Sequence, residues 1–419
     1  MKKFLLLTYY WPPAGGAGVQ RWLGFSKYLP ENGWEPVVVT VDPKHATYPQ
    51  RDESLLDEVP EGIEVVRTKS IEPLQWYGKL AGKDRIPYGG FSNQKENSKL
   101  SKFIRGNFFI PDARRGWNRY AFSAARKLIR EAGIDLVVTT GPPHSTHLIG
   151  LELQAKMNVK WIADLRDPWT EVYYNYDMPR TTLAARYDRL LECRVLKRAD
   201  ALMTASPGFA ARFNERVQRK YDVVTNGFDH VLEPKKKPAG SPLHITYTGT
   251  MAESYKPEAL FAALAGLREH DFRLRVAGSL SEGVRAMIEK AGLKDRLDYL
   301  GYLPHSAVAD ELRTADVLLL LSPDVKHGED IIPGKLFEYL AASRPILSVS
   351  DPDSPGADIL RETSSGKAFR HADEKGMTEF LRLHLSERMI LNSNSKTQKY
   401  SRKELSKQVS HLFDNTCGR

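Results

Sequence analysis

A chain of 419 residues, 41% apolar and 27% charged, exceeds one ordinary core and predicts two globular domains; it excludes a disordered or fibrous protein. Its two cysteines, Cys193 and Cys417, exclude a disulfide scaffold and fit a reducing, cytoplasmic compartment. The net charge of +9 implies anionic company, a phosphorylated substrate or an anionic membrane surface, with nucleic acid set aside because no nucleic-acid module accompanies the charge.

The N-terminus has two lysines and an apolar run too short for a signal sequence, and it reads as a first strand over residues 4–8. The turn Gly15-Gly16-Ala17-Gly18 and the helical spacing of Val19, Trp22, Leu23 and Phe25 follow, then strands at 35–42 and 63–68. That is the opening of a doubly wound α/β domain. An insertion at about 76–115 breaks the rhythm, rich in Lys, Arg, Gly and Asn with Trp76, Tyr77, Phe103, Ile104, Phe108, Phe109 and Ile110 interleaved. It suits either a flexible solvated loop or a surface for a lipid headgroup or phosphate-bearing acceptor. A helix over 117–132 and a strand over 134–140 restore the pattern, and Gly141-Pro142-Pro143-His144 starts another helix. A strand at 161–164 runs into Leu165-Arg166-Asp167-Pro168-Trp169, and a helix at 182–197 and a strand at 201–205 close this half.

The polar, proline-rich stretch 231–242 reads as a linker between a first domain, 1–230, and a second, 243–395. In the second the alternation restarts, with strands at 244–248, 273–278, 297–301 and 315–322 and helices between them. The basic tail 396–419 reads as a helix, with packing back onto the first domain as one destination. Each domain thus carries a mainly parallel sheet, and a cleft between two such domains is the usual place for a ligand.

Asp330-Ile331-Ile332-Pro333-Gly334-Lys335 leads into a helix whose apolar stripe is Leu336, Phe337 and Leu340, with Glu338 among them. Charged residues at the head of a buried helix suit an anion at its N-terminus and sugar hydroxyls on Glu338; a capped helix with a solvated Glu is the plainer alternative. Gly16-Ala17-Gly18 begins like a dinucleotide fingerprint, but Arg21 replaces the third glycine, which leaves phosphate or sugar contact, or only a tight turn. No P-loop and no nucleophile elbow occurs. His144 and His147 lack a third metal ligand nearby and read as a cap and a surface residue.

Several segments then fall into a family order: the Gly15-Gly16 loop, Asn226-Gly227-Phe228-Asp229, Tyr247-Thr248-Gly249, Val276-Ala277-Gly278, Leu300-Gly301-Tyr302, Arg313-Thr314-Ala315-Asp316, and the acidic pair Asp330 and Glu338 in a Glu-x7-Glu element. In this order the chain resembles the retaining nucleotide-sugar glycosyltransferases of family 4, which implies the GT-B fold of two Rossmann-like domains facing across a cleft. The resemblance implies a donor site of Gly15, Gly16, Gly249, Thr250, Lys256, Ile331, Ile332, Lys335 and Glu338. Glu338 would hold the ribose hydroxyls, while Asp330 and the amides of Ile331 and Ile332 would meet the sugar and β-phosphate. Thr250 stands where the family carries an arginine, so Lys256 and Lys335 are left to neutralise the diphosphate. Arg166-Asp167 replaces a histidine found in many relatives. The readings there are an acceptor- or sugar-orienting Asp164 or Asp167 with an anion-binding Arg166, or a structural Arg–Asp pair.

The implied catalytic set is Asp330, Lys256, Asp167 and Arg166, acting without cofactor or metal. The nucleotide-sugar is a substrate, and the acceptor is a glycan or lipid-linked molecule, met in the cytoplasm or at the inner face of the membrane. The competing functions are a nucleotide-sugar epimerase or hydrolase on the same fold, and a non-catalytic nucleotide-sugar-binding protein.

Overall fold

A computed structural model describes residues 1–72, 99–176, 178–235, 237–238, 240–267, 269–387, 391 and 395–418. The chain divides into two units, Met1–Thr225 with Arg402–Arg419, and Asn226–Ser401.

In unit 1, short runs of Val, Leu and Ile form the inner strands, buried on both faces, and helices join the strands. In chain order these are β1 (Lys2–Leu7), α1 (Ala17–Tyr28), β2 (Trp34–Val41), β3 (Glu64–Thr68), α2 (Lys99–Phe108), α3 (Asn118–Ala132), β4 (Leu136–Gly141), α4 (Ser145–Met157), β5 (Lys160–Leu165), α5 (Thr182–Arg198), β6 (Ala201–Thr204), α6 (Pro207–Arg216) and β7 (Asp222–Val223). The strands lie in the order β3-β2-β1-β4-β5-β6-β7. All pairs are parallel, with Leu5 of β1 between Val37 and Val137. Strand order reverses at β1, so the loops after β1 and β4 diverge there and leave a crevice at the strands' C-terminal edge. Within the insertion the described part is not a loop: α2 occupies most of it. Trp76 and Tyr77 lie outside the described residues.

Unit 2 repeats the plan with β8 (Leu243–Thr248), α7 (Glu258–Ala265), β9 (Phe272–Ala277), α8 (Glu282–Lys290), β10 (Leu297–Gly301), α9 (His305–Thr314), β11 (Val317–Leu321), α10 (Lys335–Ala341), β12 (Ile346–Val349), α11 (Pro355–Thr363), β13 (Gly366–Phe369), α12 (Glu374–Glu387) and α13 (Ser395–Gln398). Its parallel sheet runs β10-β9-β8-β11-β12-β13, the same order as the first six strands of unit 1. Leu336, Phe337 and Leu340 of α10 pack on Leu318 and Leu320 of β11, which seats the head of α10 at the C-terminal edge of the sheet.

The stretch 231–242, expected as a linker, is instead strapped to unit 2. Leu232 N–H donates to Ala341 O at 2.7 Å, Lys235 N–H to Arg313 O at 3.0 Å, and Lys237 pairs with Asp316. Its polar composition reflects exposure, while its backbone is held at several points. The last helix, α14 (Arg402–Thr416), belongs to unit 1. Its Leu405, Val409 and Phe413 complete the core around Phe4, Trp22 and Trp34, with ring centroids 4.9 Å apart for Phe4–Phe413 and 5.3 Å for Trp34–Phe413.

Candidate functional site

In unit 2 the site is built at the end of β8. Gly249 takes φ +106 and its N–H donates to Ala277 O at 2.7 Å, while Gly278 at φ +131 lies so close that a Cβ there would meet Gly249 O at 2.2 Å. A side chain at Gly278 would strike Gly249, and the positive φ of both positions favours glycine. Tyr247 fixes the next turn by donating to Thr250 O at 2.6 Å, and the Thr248 N–H donates to the Tyr339 hydroxyl at 3.0 Å.

Lys335 enters this frame from α10. Its Nζ donates to the Tyr247 hydroxyl and to Thr248 O, both at 2.8 Å, and lies 4.0 Å from the Tyr247 ring centroid. A Cβ on Gly249 would stand 3.1 Å from that ammonium. Burial lowers the Lys335 pKa to about 7, against the opposing pull of the Glu338 carboxylate. Glu338, half-buried on the same helix, has no hydrogen-bond partner among the described residues. A half-buried carboxylate left without a donor beside a cation is a ligand-binding candidate.

The loop before α10 is held differently from expectation. The Ile331 N–H donates to Gly328 O at 3.2 Å, closing a 3-10 turn, so it is not the free amide expected for a phosphate. Ile332 packs against the core of unit 2. His327, Glu329 and Asp330 bring one ligand atom each within 4.8 Å of one another. Lys256, at φ +44, is exposed and its ammonium pairs with Asp324. The hydrogen bond and charge of Asp324 raise the Lys256 pKa. Lys256 therefore meets a ligand only by leaving Asp324 or sharing it.

In unit 1, the Gly15 N–H donates to Gln50 O at 3.0 Å, and Gly16 at φ +91 precedes α1, so the Gly15 amide is used in a turn. The Arg166 guanidinium donates to Gly141 O at 3.1 Å, Gly18 O at 3.0 Å and Pro142 O at 2.9 Å, tying the ends of β4 and β5 to the start of α1. Among the described residues it does not form the structural pair with an aspartate. That pair is Arg21 with Asp164, at 3.0 Å, both fully buried, with Trp22 and Thr140 also donating to Asp164. The departure from the dinucleotide fingerprint at Arg21 thus has a structural reason.

Asp167 is the carboxylate left over. It has no hydrogen-bond partner among the described residues, and burial raises its pKa, partly offset by Arg166. His144 and His147 are buried, not at the surface. His147 Nδ1 lies 2.9 Å from Thr139 Oγ1, His144 stacks on Trp169 with centroids 5.0 Å apart, and burial keeps both rings neutral, His147 at about 3. The cap of α4 is Asp112, whose carboxylate takes the Ser145 N–H and hydroxyl, each at 2.8 Å. A pocket beside it is lined by Tyr10, Phe109, Asp112, Arg114, His144 and Trp169 among others.

Of the residues singled out in the sequence, the structure brings Gly249, Lys335 and Glu338 together at the end of β8 and the head of α10. Sequence reasoning missed the Tyr247 and Tyr339 frame, the Asp324 partner of Lys256 and the Asp112 cap. The first had a signal, a tyrosine just before a turn glycine; the others join residues 68 and 33 positions apart and had none.

Comparison with known proteins agrees with this architecture. Residues 15–227 match the glycosyl transferase 4-like domain and residues 231–404 match glycosyl transferases group 1. The fold is similar to that of sucrose-phosphate synthase from Thermosynechococcus elongatus, with TM-score 0.63, 14% identity and 100% of both chains covered. It is equally similar to Anabaena HepE, solved in complex with UDP-glucose, with TM-score 0.63, 12% identity, and 99% of this chain and 100% of that chain covered. WcaL of Escherichia coli (strain K12), named for a glycosyltransferase of colanic acid biosynthesis, is 26% identical over 198 residues, 45% of this chain and 48% of WcaL. The match thus spans about half the length of that relative. With most of each unit matched by these two domains, the chain belongs to the glycosyltransferase family they define and has the GT-B fold.

Proposed function

We propose that the protein transfers a sugar, with retention at the anomeric carbon, from a nucleotide-sugar to a glycan or lipid-linked acceptor in cell-surface polysaccharide or glycolipid synthesis. The bond from the anomeric carbon to the diphosphate breaks, and a bond to the acceptor hydroxyl oxygen forms on the same face. The hydroxyl proton leaves with the diphosphate. The protein's share is to position the two substrates and to stabilise the departing charge.

Unit 2 takes the donor. Glu338 receives the ribose hydroxyls, Asp330 and the Ile332 amide meet the sugar, and Lys335 supplies charge to the diphosphate through the gap left by Gly249, with Lys256 released from Asp324 as a second cation. No metal is required in this reading. Asp167, in unit 1, orients the acceptor hydroxyl. The observation that carries the proposal is the partnerless Glu338 carboxylate beside the framed Lys335 ammonium at the head of α10. The polysaccharide setting follows the name of WcaL.

A thermal-shift screen of UDP-, GDP- and dTDP-linked sugars tests it, beginning with UDP-glucose because HepE was solved with it. A true donor at a hundred times its Kd adds about 2.7 kcal/mol of stability. Transfer onto membrane-lipid and soluble-glycan extracts then identifies the acceptor. No shift with any nucleotide-sugar removes the donor reading. Turnover without acceptor would indicate a hydrolase or epimerase instead.

A further inference from the structure

We infer that α2 and α5 of unit 1 together form a docking surface for an anionic lipid bilayer. On α2, Leu100, Phe103, Ile104 and Phe108 recur at helical spacing and are 67, 39, 41 and 74% exposed. On α5, Leu183, Tyr187 and Leu190 make a second stripe, 80, 41 and 52% exposed. The two helices are neighbours: Arg180, just before α5, donates to Gly106 O at 3.1 Å, and the Thr181 N–H donates to the Asn107 side chain at 2.7 Å. An ordinary surface helix turns its apolar stripe to the core. Here the small and polar positions Gly106 and Asn107 face the protein, and the large apolar ones face out.

The charges are inverted in the same way. Helix α2 contains no acid, and the two acids of α5, Asp188 and Glu192, are buried. Asp188 accepts from Trp169 Nε1 at 2.8 Å and Arg180 at 2.7 Å; Glu192 accepts from Thr170 Oγ1 at 2.7 Å and Arg216 at 2.9 Å. What remains exposed beside the apolar stripes is cationic: Lys99, Arg186, Arg189 and Arg194. Apolar side chains flanked by cations, with no exposed acid on α2 or α5 among the described residues, match a headgroup region, where rings and alkyl chains enter the acyl boundary and cations meet lipid phosphates. A second copy of this chain fits worse, because it would set the same cations against one another. Gly106 and Phe109 also line the unit 1 pocket, so a docked bilayer would lie at its rim. The inference goes beyond the proposed function and is independent of its donor assignment.

The test is vesicle co-sedimentation of the full chain with phosphatidylcholine alone and with phosphatidylcholine–phosphatidylglycerol mixtures. Binding should require the anionic lipid and weaken as salt is raised. Arg186→Gln with Arg189→Gln should cost about fivefold per cation. Phe108→Ser with Leu183→Ser should cost about tenfold or more. These side chains are exposed, so all variants should keep the wild-type melting temperature. Wild-type protein that binds neither vesicle, or variants that bind as well as wild type, overturn the inference. So does a dimer in analytical ultracentrifugation that Phe108→Ser dissolves while no vesicle is bound; the surface would then join copies. Vesicle binding by a protein that no nucleotide-sugar stabilises would defeat the donor reading and leave this one standing.

Discussion

The Lys335 ammonium is held beneath a glycine turn by a phenol and a carbonyl. Burial has brought its pKa to about 7, and the diphosphate of the proposed function would raise it again. The sign follows directly. Below about 7 the free protein already holds the proton; above it, binding must take one up, so donor affinity falls as pH rises, by up to about tenfold per unit. Calorimetric titrations in buffers of different ionisation enthalpy should show proton uptake at about pH 8, and none for Lys335→Met. Pre-charged Lys335→Arg should flatten the profile, and a flat profile in the wild type would remove Lys335 from the diphosphate. At this scale the sequence exposed residue types but not their partners. Lys335 and Glu338 stand out because charge is unusual on a buried helix. The destination of Arg166 could not be read, because two of its three acceptors are the carbonyls of Gly18 and Gly141, at the start of another helix and the end of another strand.

Among elements, α14 is the least local. It closes the core of unit 1 with side chains almost the full chain length from their partners, as in the 2.6 Å ion pair of Lys2 with Asp414. Phe413 is fully buried among Phe4 and Trp34, so Phe413→Ala should lower the stability of unit 1 by about 3–5 kcal/mol, read as a shift of its denaturation midpoint. An unchanged midpoint would mean that α14 is not part of that core in solution. The basic tail was legible as a helix; its docking surface was not, because composition does not name a partner. In the insertion the reverse held: aromatic residues among cations suggested a surface, but not that part of it forms the helix α2.

For the whole molecule, the alternation of apolar runs with helical patterns was enough to predict two parallel α/β sheets. Repeated strand, turn and helix admits few topologies, and both units adopt the same one. The boundary was harder to place, since proline and charge mark exposure and not freedom, and 231–242 is bonded to unit 2. The account rests on a donor gripped by unit 2, and isothermal titration of the stabilising nucleotide-sugar into wild type and Glu338→Ala tests it most directly. The account predicts a ten- to hundredfold loss of affinity, about 1.5–3 kcal/mol for hydrogen bonds to a charged group, with the melting temperature of the free protein unchanged. Equal donor affinity in the two proteins would contradict it.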